Sequence, residues 1–217
     1  MTKATLHMIG NAHIDPVWLW QWQEGFHEVQ ATFRSALDRM KEFPEFKFVA
    51  SSAVFYQWVE DNDPEMFAEI KQRVFEGRWG IVGGWWIEPD CNIPCGESFV
   101  RQGLYGQRFF KSRFGVTASV GYNIDSFGHH GMLPQILKKS GLPYYVFMRP
   151  DLHEKELPGR VFWWESDDGS QVLTLRLPSP YGTWGPNIDS HIQYCASEIK
   201  EPLQEMVCFY GVGDHGG

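Results

Sequence analysis

The chain lacks the segments that span a membrane or direct a protein across one. Nowhere in its 217 residues is there an apolar run of about 20 residues, the length that a bilayer requires. Its first residues do not combine a basic segment, a long apolar stretch and a small-residue cleavage site, which argues against a signal peptide. We therefore expect no membrane partner.

Cysteine is also scarce. The chain has four, Cys91, Cys95, Cys195 and Cys208, at irregular spacing. The spacing Cys91-x-x-x-Cys95 is compatible with half of a metal site, but no second pair accompanies it. Such sparse cysteines do not indicate a disulfide framework. A reduced, cytoplasmic protein is the simplest interpretation.

Positive charge is in deficit, whereas aromatic residues are abundant. The net charge of −8 and the absence of a Lys/Arg cluster argue against a nucleic-acid surface. Aromatic residues make up 16% of the chain and include ten tryptophans. Aromatic rings pack on the flat C–H faces of sugars, so this excess suits a carbohydrate site. It suits a large hydrophobic core equally well.

Strands and helices alternate along the sequence. Short apolar runs predict strands at Leu6–Ile9, Phe46–Ser51, Trp79–Gly83, Val120–Asp125, Tyr144–Met148 and Val207–Val212. Apolar spacings of three and four, with Asp-Pro and Gly signals, predict helices between them. These span Phe26–Met40, a segment beginning at Asp63, Ser98–Phe114, Leu133–Ser140 and Asp189 to about Glu205. A hairpin within Val161–Leu177 interrupts the alternation.

This order predicts one α/β domain over residues 1–217, with a parallel sheet. The first strand-to-helix connection has no Gly-x-Gly-x-x-Gly, so a dinucleotide-binding fold loses support. Polar residues fall after successive strands, as a barrel with its site at the strand C-termini requires. An open doubly wound sheet places its crevice at the same ends, so both architectures stay compatible with the pattern.

The first strand leads to a candidate metal half-site. His13 and Asp15 stand two positions apart, so in an extended chain their side chains point to the same side. Pro16 then takes the chain out of the sheet, because it has no N–H to donate. A nitrogen and an oxygen ligand side by side are two of the ligands that zinc uses. The alternative is a turn in which the aspartate accepts a hydrogen bond from the histidine.

Further candidate residues follow the later strands. Asp125 is either the N-cap of the next helix or a third metal ligand that also acts as a nucleophile. Arg149 and Asp214 follow two other strands, where they are surface residues or members of the same site. Trp18 and Trp86 lie near strand ends, and each is either a core residue or a stacking wall for a sugar ring.

Three of these segments together resemble the N-terminal catalytic domain of the family 38 glycoside hydrolases, the zinc-dependent α-mannosidases. They are His13-Ile14-Asp15-Pro16-Val17-Trp18, Gly83-Gly84-Trp85-Trp86 and Asn123-Ile124-Asp125-Ser126-Phe127-Gly128-His129. The first is closer to the bacterial and cytosolic or vacuolar branch than to the Golgi and lysosomal enzymes.

The resemblance implies a seven-stranded α/β barrel, incomplete in this chain, and a retaining mechanism. It implies that His13, Asp15 and Asp125 bind Zn²⁺ and that Asp125 is the nucleophile. Trp18 and Trp86 are then substrate-binding residues, and Arg149 lies close to the nucleophile. A retaining glycosidase needs two carboxylates about 5–5.5 Å apart, one nucleophilic and one acting as acid and base.

Two departures from the family pattern concern the end of the chain. Gly213-Asp214-His215 stands where the family carries Gly-Asp-Asp, so Asp214 is the candidate acid/base. The family's fourth zinc ligand, a later histidine, has no counterpart here. We therefore expect a fragment that is inactive alone, lacks the last part of the barrel and the C-terminal domains, and is able to form homo-oligomers.

The resulting expectation is a zinc-dependent retaining exo-α-mannosidase acting on terminal α-mannosides of glycans. Two alternatives stay open at this point. A metal-dependent carbohydrate deacetylase also places Asp and His at strand ends, but it uses a metal-bound water and forms no covalent intermediate. A sugar-binding module without catalysis would use the Trp-rich loops alone.

Overall fold

The structure is a computed structural model that describes residues 4–151, 153–185 and 187–213. Within it the chain divides into two compact units. Unit 1 contains the residues up to Val49 and those from Leu177 onward, and unit 2 contains Ala50–Arg176. The single domain over residues 1–217 stays a prediction.

Strands and helices alternate as the sequence predicts, which confirms the α/β class. In chain order the elements are β1 (Thr5–Ala12), α1 (Trp22–Glu42), β2 (Phe48–Ala50), α2 (Ala53–Asn62), α3 (Pro64–Phe75), β3 (Trp79–Ile81), α4 (Gly96–Phe114), β4 (Val120–Asn123), α5 (Leu133–Lys139), β5 (Tyr144–Phe147), β6 (Val161–Glu165), β7 (Gln171–Arg176), α6 (Asp189–Ser197) and β8 (Glu205–Tyr210).

Unit 1 joins the two ends of the chain through a parallel strand pair. Strand β1 pairs with β8, with Thr5 opposite Glu205 and Gly10 opposite Tyr210. Helix α1 buries one face, as its spacing of apolar residues predicts, and Phe33 and Leu37 are completely buried there.

Unit 2 contains a four-stranded mixed sheet in the order β4-β5-β7-β6. Strands β4, β5 and β7 run parallel, and β6 is antiparallel to β7, which confirms the predicted hairpin. Trp85, Phe99, Leu137 and Tyr145 belong to the hydrophobic core beside this sheet. The mixed sheet supports the α/β class, while the seven-stranded barrel stays a prediction.

Helix α2 is absent from the sequence prediction, and its N-terminus explains why. Ser52, the residue before it, has a φ of 73° and makes no side-chain capping hydrogen bond. Instead, the amides of Ala53 and Val54 donate to the carbonyl oxygens of Trp85 and Trp86, at 3.1 and 3.0 Å. The first N–H groups of a helix need such partners, and here distant backbone supplies them.

Helix α6 is shorter than the sequence predicts. It ends at Ser197, whereas the apolar spacing indicates a helix to about Glu205. Pro202 has no N–H to donate and disfavours helical geometry at the residue before it. Leu203 instead closes a turn by donating to the Lys200 carbonyl, and β8 begins two residues later.

No helix among the described residues is long and apolar enough to cross a membrane. This agrees with the sequence, in which the longest helices, α1 and α4, both alternate charged and apolar residues.

The C-terminal end of β8 is held to β1 by a close backbone approach. The buried side-chain amide of Asn11 donates to the carbonyls of Tyr181 and Tyr210, at 2.9 and 3.2 Å. Gly211 follows with a φ of 147°, and a Cβ built on it would lie 2.0 Å from the Asn11 carbonyl oxygen. Only glycine fits there, because other residues meet both the unfavourable dihedral and the collision.

We predict that Gly211→Ala lowers the free energy of unfolding by about 3 kcal/mol. The positive φ contributes about 1–2 kcal/mol to this loss, and the collision of the Cβ contributes about 1–3 kcal/mol. Gly185→Ala is the matched control, since Gly185 has a φ of 83° and, among the described residues apart from its own chain neighbours, no atom lies within 4 Å of the place that a Cβ would occupy. We expect Gly185→Ala to lower the free energy of unfolding only by the part that comes from positive φ. Urea unfolding measures both, and equal losses would contradict the role of the contact with Asn11.

Candidate active site

The two residues of the predicted metal half-site lie side by side in unit 1. His13 directly follows β1, and its Nε2 lies 3.3 Å from Oδ1 of Asp15. The imidazole is buried, and the carboxylate is about a quarter exposed. Two ligands bound at about 2.0–2.1 Å to a tetrahedral ion lie roughly 3.3 Å apart, so this nitrogen and oxygen fit adjacent positions on one zinc ion.

The loop after β1 is held by three separate contacts. The Trp20 indole N–H donates to the Asp15 carbonyl at 2.8 Å. The Tyr181 ring lies 5.2 Å from the imidazole of His13. Helix α1 approaches so closely that a Cβ on Gly25 would lie 2.3 Å from the Pro16 carbonyl oxygen. These contacts position His13 and Asp15 independently of any ion.

Trp18 presents its ring to solvent. Trp18 is 54% exposed. Its indole makes an edge contact with that of Trp20, with the ring centroids 5.3 Å apart. An exposed indole can stack on an apolar surface. The substrate-binding role of Trp18 stays a prediction.

In unit 2 the candidate nucleophile forms an ion pair. Asp125 lies two residues past the end of β4, and its Oδ1 is 2.9 Å from Nη1 of Arg149. The carboxylate is 16% exposed and the guanidinium 37%, so the pair sits at the surface of the unit with its acid side shielded. Arg149 also lies over the Phe127 ring, 4.5 Å from its centroid.

Glu88 supports Asp125 through the backbone, which the sequence interpretation did not foresee. Its Oε1 accepts a hydrogen bond from the Asp125 amide at 3.2 Å, and its own amide donates to the Ser52 hydroxyl at 3.1 Å. The sequence shows Glu88 as one of two acidic residues after Trp86, and nothing in it separates this residue from its neighbour Asp90. Only the fold brings Glu88 to the end of β4.

His129 fixes the backbone at Arg149. Its Nε2–H donates to the Arg149 carbonyl at 2.6 Å, so Nδ1 is left to accept from the Tyr145 hydroxyl at 3.0 Å. The ring packs 4.9 Å from that of Phe147, and burial lowers the pKa of His129 below its usual value. A neutral imidazole with both nitrogens engaged acts as a support for the neighbouring backbone.

The adjacent tryptophans separate into two environments. Trp85 is completely buried, and its indole N–H donates to the Asn123 side chain at 2.9 Å. Trp86 is half-buried and makes an edge contact with Phe109 of α4 at 6.0 Å. The core role therefore belongs to Trp85, and the substrate-binding role of Trp86 stays a prediction.

A cavity of about 370 Å³ opens in unit 2 beside the Asp125–Arg149 pair. Phe127, His129 and Arg149 line one part of it, and Phe147, Phe162 and Trp164 provide aromatic walls elsewhere. Aromatic walls with a few polar groups are typical of small-molecule sites.

Asp214, the candidate acid/base, lies outside the described residues. The predicted charged and metal-binding residues that the structure describes form two local groups, which are His13 with Asp15 in unit 1 and Asp125 with Arg149 in unit 2.

Known proteins align with this chain along its whole length. Alpha-mannosidase G of Dictyostelium discoideum is 37% identical over 220 residues, which cover 100% of this chain and 20% of that protein. Alpha-mannosidase of Saccharomyces cerevisiae is 35% identical over 221 residues, covering 99% and 20%. The chain therefore spans about a fifth of the length of these relatives.

A solved structure shares the fold. The crystal structure of an alpha-mannosidase from Enterococcus faecalis V583 superimposes with a TM-score of 0.80 at 21% identity, covering 99% of this chain and 25% of that chain. The model of the glycosyl hydrolases family 38 N-terminal domain matches residues 3–217. The chain thus belongs to glycosyl hydrolase family 38, and it represents the N-terminal domain of that family.

Proposed function

We propose that the protein containing this chain is a zinc-dependent exo-α-mannosidase that hydrolyses terminal α-mannosides of glycans with retention. Family membership supports a glycoside hydrolase over a deacetylase or a binding module. Two full-length relatives are named alpha-mannosidases, and the chain matches them over about a fifth of their length. The observation that carries the proposal is the carboxylate–guanidinium pair that Asp125, a residue of the family motif, forms with Arg149.

In this proposal Asp125 attacks the anomeric carbon. Arg149, whose Nη1 lies 2.9 Å from Oδ1 of Asp125, stabilises the negative charge that a nucleophilic carboxylate needs. The Glu88 carboxylate and the His129 imidazole fix the backbone of the two partners. A nucleophile works only when its orientation is maintained, since small misplacements cost large factors in rate.

The metal in this proposal is bound by His13, Asp15 and Asp125, with a fourth ligand from a later histidine. The 3.3 Å spacing of the His13 and Asp15 donor atoms supports the first two assignments, and the family motif supports the third. Bound zinc would orient the sugar hydroxyls and favour a distorted ring on the path to the transition state. The seven-stranded barrel belongs to the same proposal.

Substrate recognition is assigned to aromatic surfaces. Trp18 and Phe127 are 54% and 74% exposed, which leaves ring faces available for stacking on a sugar. We propose the same role for Trp86. The acid/base is proposed to be Asp214, while the cytoplasmic location and a homo-oligomeric state stay predictions.

The nucleophile can be tested by trapping. We expect an activated 2-fluoro mannoside to label the peptide that contains Asp125. Fluorine slows both formation and hydrolysis of the covalent intermediate, and the good leaving group speeds only its formation, so the intermediate accumulates. Asp125→Asn should lower kcat on an aryl α-mannoside by more than about 10⁴-fold and abolish labelling. Mass spectrometry and steady-state kinetics measure these effects.

Asp61→Asn is the matched control, because Asp61 is an exposed carboxylate on α2 that accepts only from Gln57 in the described contacts. It should label and turn over like the wild type. Undiminished activity of Asp125→Asn in the full-length protein would remove Asp125 from the nucleophile role.

The metal ligands can be tested by elemental analysis. We expect His13→Ala and Asp15→Asn each to lose one zinc equivalent relative to the wild-type protein, together with activity on aryl α-mannosides. Chelation of the wild type should abolish activity, and added zinc should restore it. His7→Ala is the control, since His7 lies on β1 but is half-exposed and pairs with Glu205. Full zinc content in both ligand variants would contradict the assignment.

The acid/base role of Asp214 predicts a dependence on the leaving group. Asp214→Asn should lower kcat/KM by about 10²–10⁴-fold on an alkyl mannoside, which needs a proton on departure. The loss should be far smaller on a dinitrophenyl mannoside, whose leaving group needs none. Equal losses on both substrates would assign the acid/base to another residue.

A further inference from the structure

A second group of metal-type ligands lies in unit 1, among residues that the proposed catalysis does not use. His191, Cys195 and Cys208 each offer a donor atom, and all three atoms lie within 4.8 Å of one another. Histidine nitrogen and cysteine sulfur are the ligands that structural zinc sites use most. The three residues come from two elements, so the group exists only in the folded unit.

The local structure explains this convergence. His191 and Cys195 are four residues apart on α6 and therefore share one helix face. Cys208 lies on β8 and is buried, as is Cys195. Helix α6 packs on β8, which brings its shared face against the strand.

Ser179 supplies a fourth polar atom at the same place. Its hydroxyl lies 3.1 Å from Sγ of Cys195 and 3.4 Å from Nε2 of His191. Ligands around a tetrahedral zinc ion, with bonds of about 2.0–2.3 Å, are roughly 3.3–3.8 Å apart. The two Ser179 separations lie near this range, and the ligand atoms of His191, Cys195 and Cys208, which lie within 4.8 Å of one another, would move closer together on binding.

The protonation of the group selects the kind of ion. Both cysteines are free thiols. His191 Nε2 donates to the Phe209 carbonyl at 2.7 Å. An ion must displace thiol protons here, which oxygen-preferring ions such as Mg²⁺ and Ca²⁺ do not do.

We propose that His191, Cys195 and Cys208 form a binding site for a thiophilic divalent ion of the Zn²⁺ type, separate from the ligands assigned to catalysis. On binding, two metal–sulfur bonds and one metal–nitrogen bond form, and the two thiol protons pass to solvent. The imidazole binds through a deprotonated nitrogen, and the other ring nitrogen keeps the proton. The ion joins α6 to β8 and stabilises unit 1.

The role of the site follows from where β8 leads. Strand β8 ends at Tyr210, and the next residue is Gly211, which lies against the Asn11 carbonyl. A metal link between α6 and β8 would restrain the strand just before this contact. The site is therefore structural in the proposal, since buried sulfur ligands leave no open position for a substrate.

Cobalt titration of the full-length protein tests the proposal. Thiolate-to-cobalt charge transfer absorbs in the near ultraviolet, and nitrogen and oxygen ligands do not produce it. The band therefore reports this site even when the ligands assigned to catalysis hold another ion. We expect one equivalent of Co²⁺ to produce the band in the reduced wild-type protein, and Zn²⁺ to remove it by competition.

Cys195→Ser and Cys208→Ser should each weaken Co²⁺ binding through sulfur by more than about 100-fold, because even residues outside the first ligand shell cost about 10–100-fold. Cys95→Ser is the matched control, since Cys95 is exposed and its thiol lies beside the Ser98 hydroxyl at the start of α4. It should bind like the wild type.

Three results would overturn the proposal. The first is a folded wild-type protein that shows no thiolate band with Co²⁺, which needs no variant and so stands even if a variant does not fold. The second is a band that survives in both cysteine variants. The third is loss of two hydrogen masses without metal uptake, which would show that Cys195 and Cys208 form a disulfide instead.

Discussion

The ion pair between Asp125 and Arg149 is the interaction on which the proposed chemistry of this chain depends. Partly exposed ion pairs contribute only about 0–1 kcal/mol, and an exposed cation–π contact about 0.5–1 kcal/mol. These amounts are too small for stability to be the main effect of the Arg149 contacts. Their structural effect is orientation, because the guanidinium is held at 2.9 Å from the carboxylate and 4.5 Å from the Phe127 ring.

Orientation at this pair is maintained by buried groups that do not touch a substrate in the proposal. The Glu88 carboxylate engages the Asp125 amide, and the His129 imidazole engages the Arg149 carbonyl. Burial also raises the pKa of the Cys91 thiol to about 11 beside Ser126, so this neighbour of the ion pair stays neutral.

Regular elements were predictable where local chemistry determines them. Helix α3 begins at Asp63-Pro64 as predicted, because the Asp63 carboxylate accepts from the Met66 amide and proline fits the first turn. The hairpin around Asp168 was predictable because its turn is also determined by residues next to one another in the chain. Helix α2 was not, because the carbonyls of Trp85 and Trp86 replace a local cap, and no sequence signal encodes a partner more than thirty residues away.

By itself the sequence determined the family, the α/β class and the identity of the candidate residues, since each follows from adjacent residues or from their spacing. The resemblance also implied that Arg149 lies close to Asp125, and the tertiary structure supplied the contact between them. Tertiary structure alone brought Glu88 to the Asp125 amide and gathered His191 and Cys195 beside Cys208. These contacts join residues distant in the chain, and their distances depend on how helices and strands pack, which local propensity does not specify.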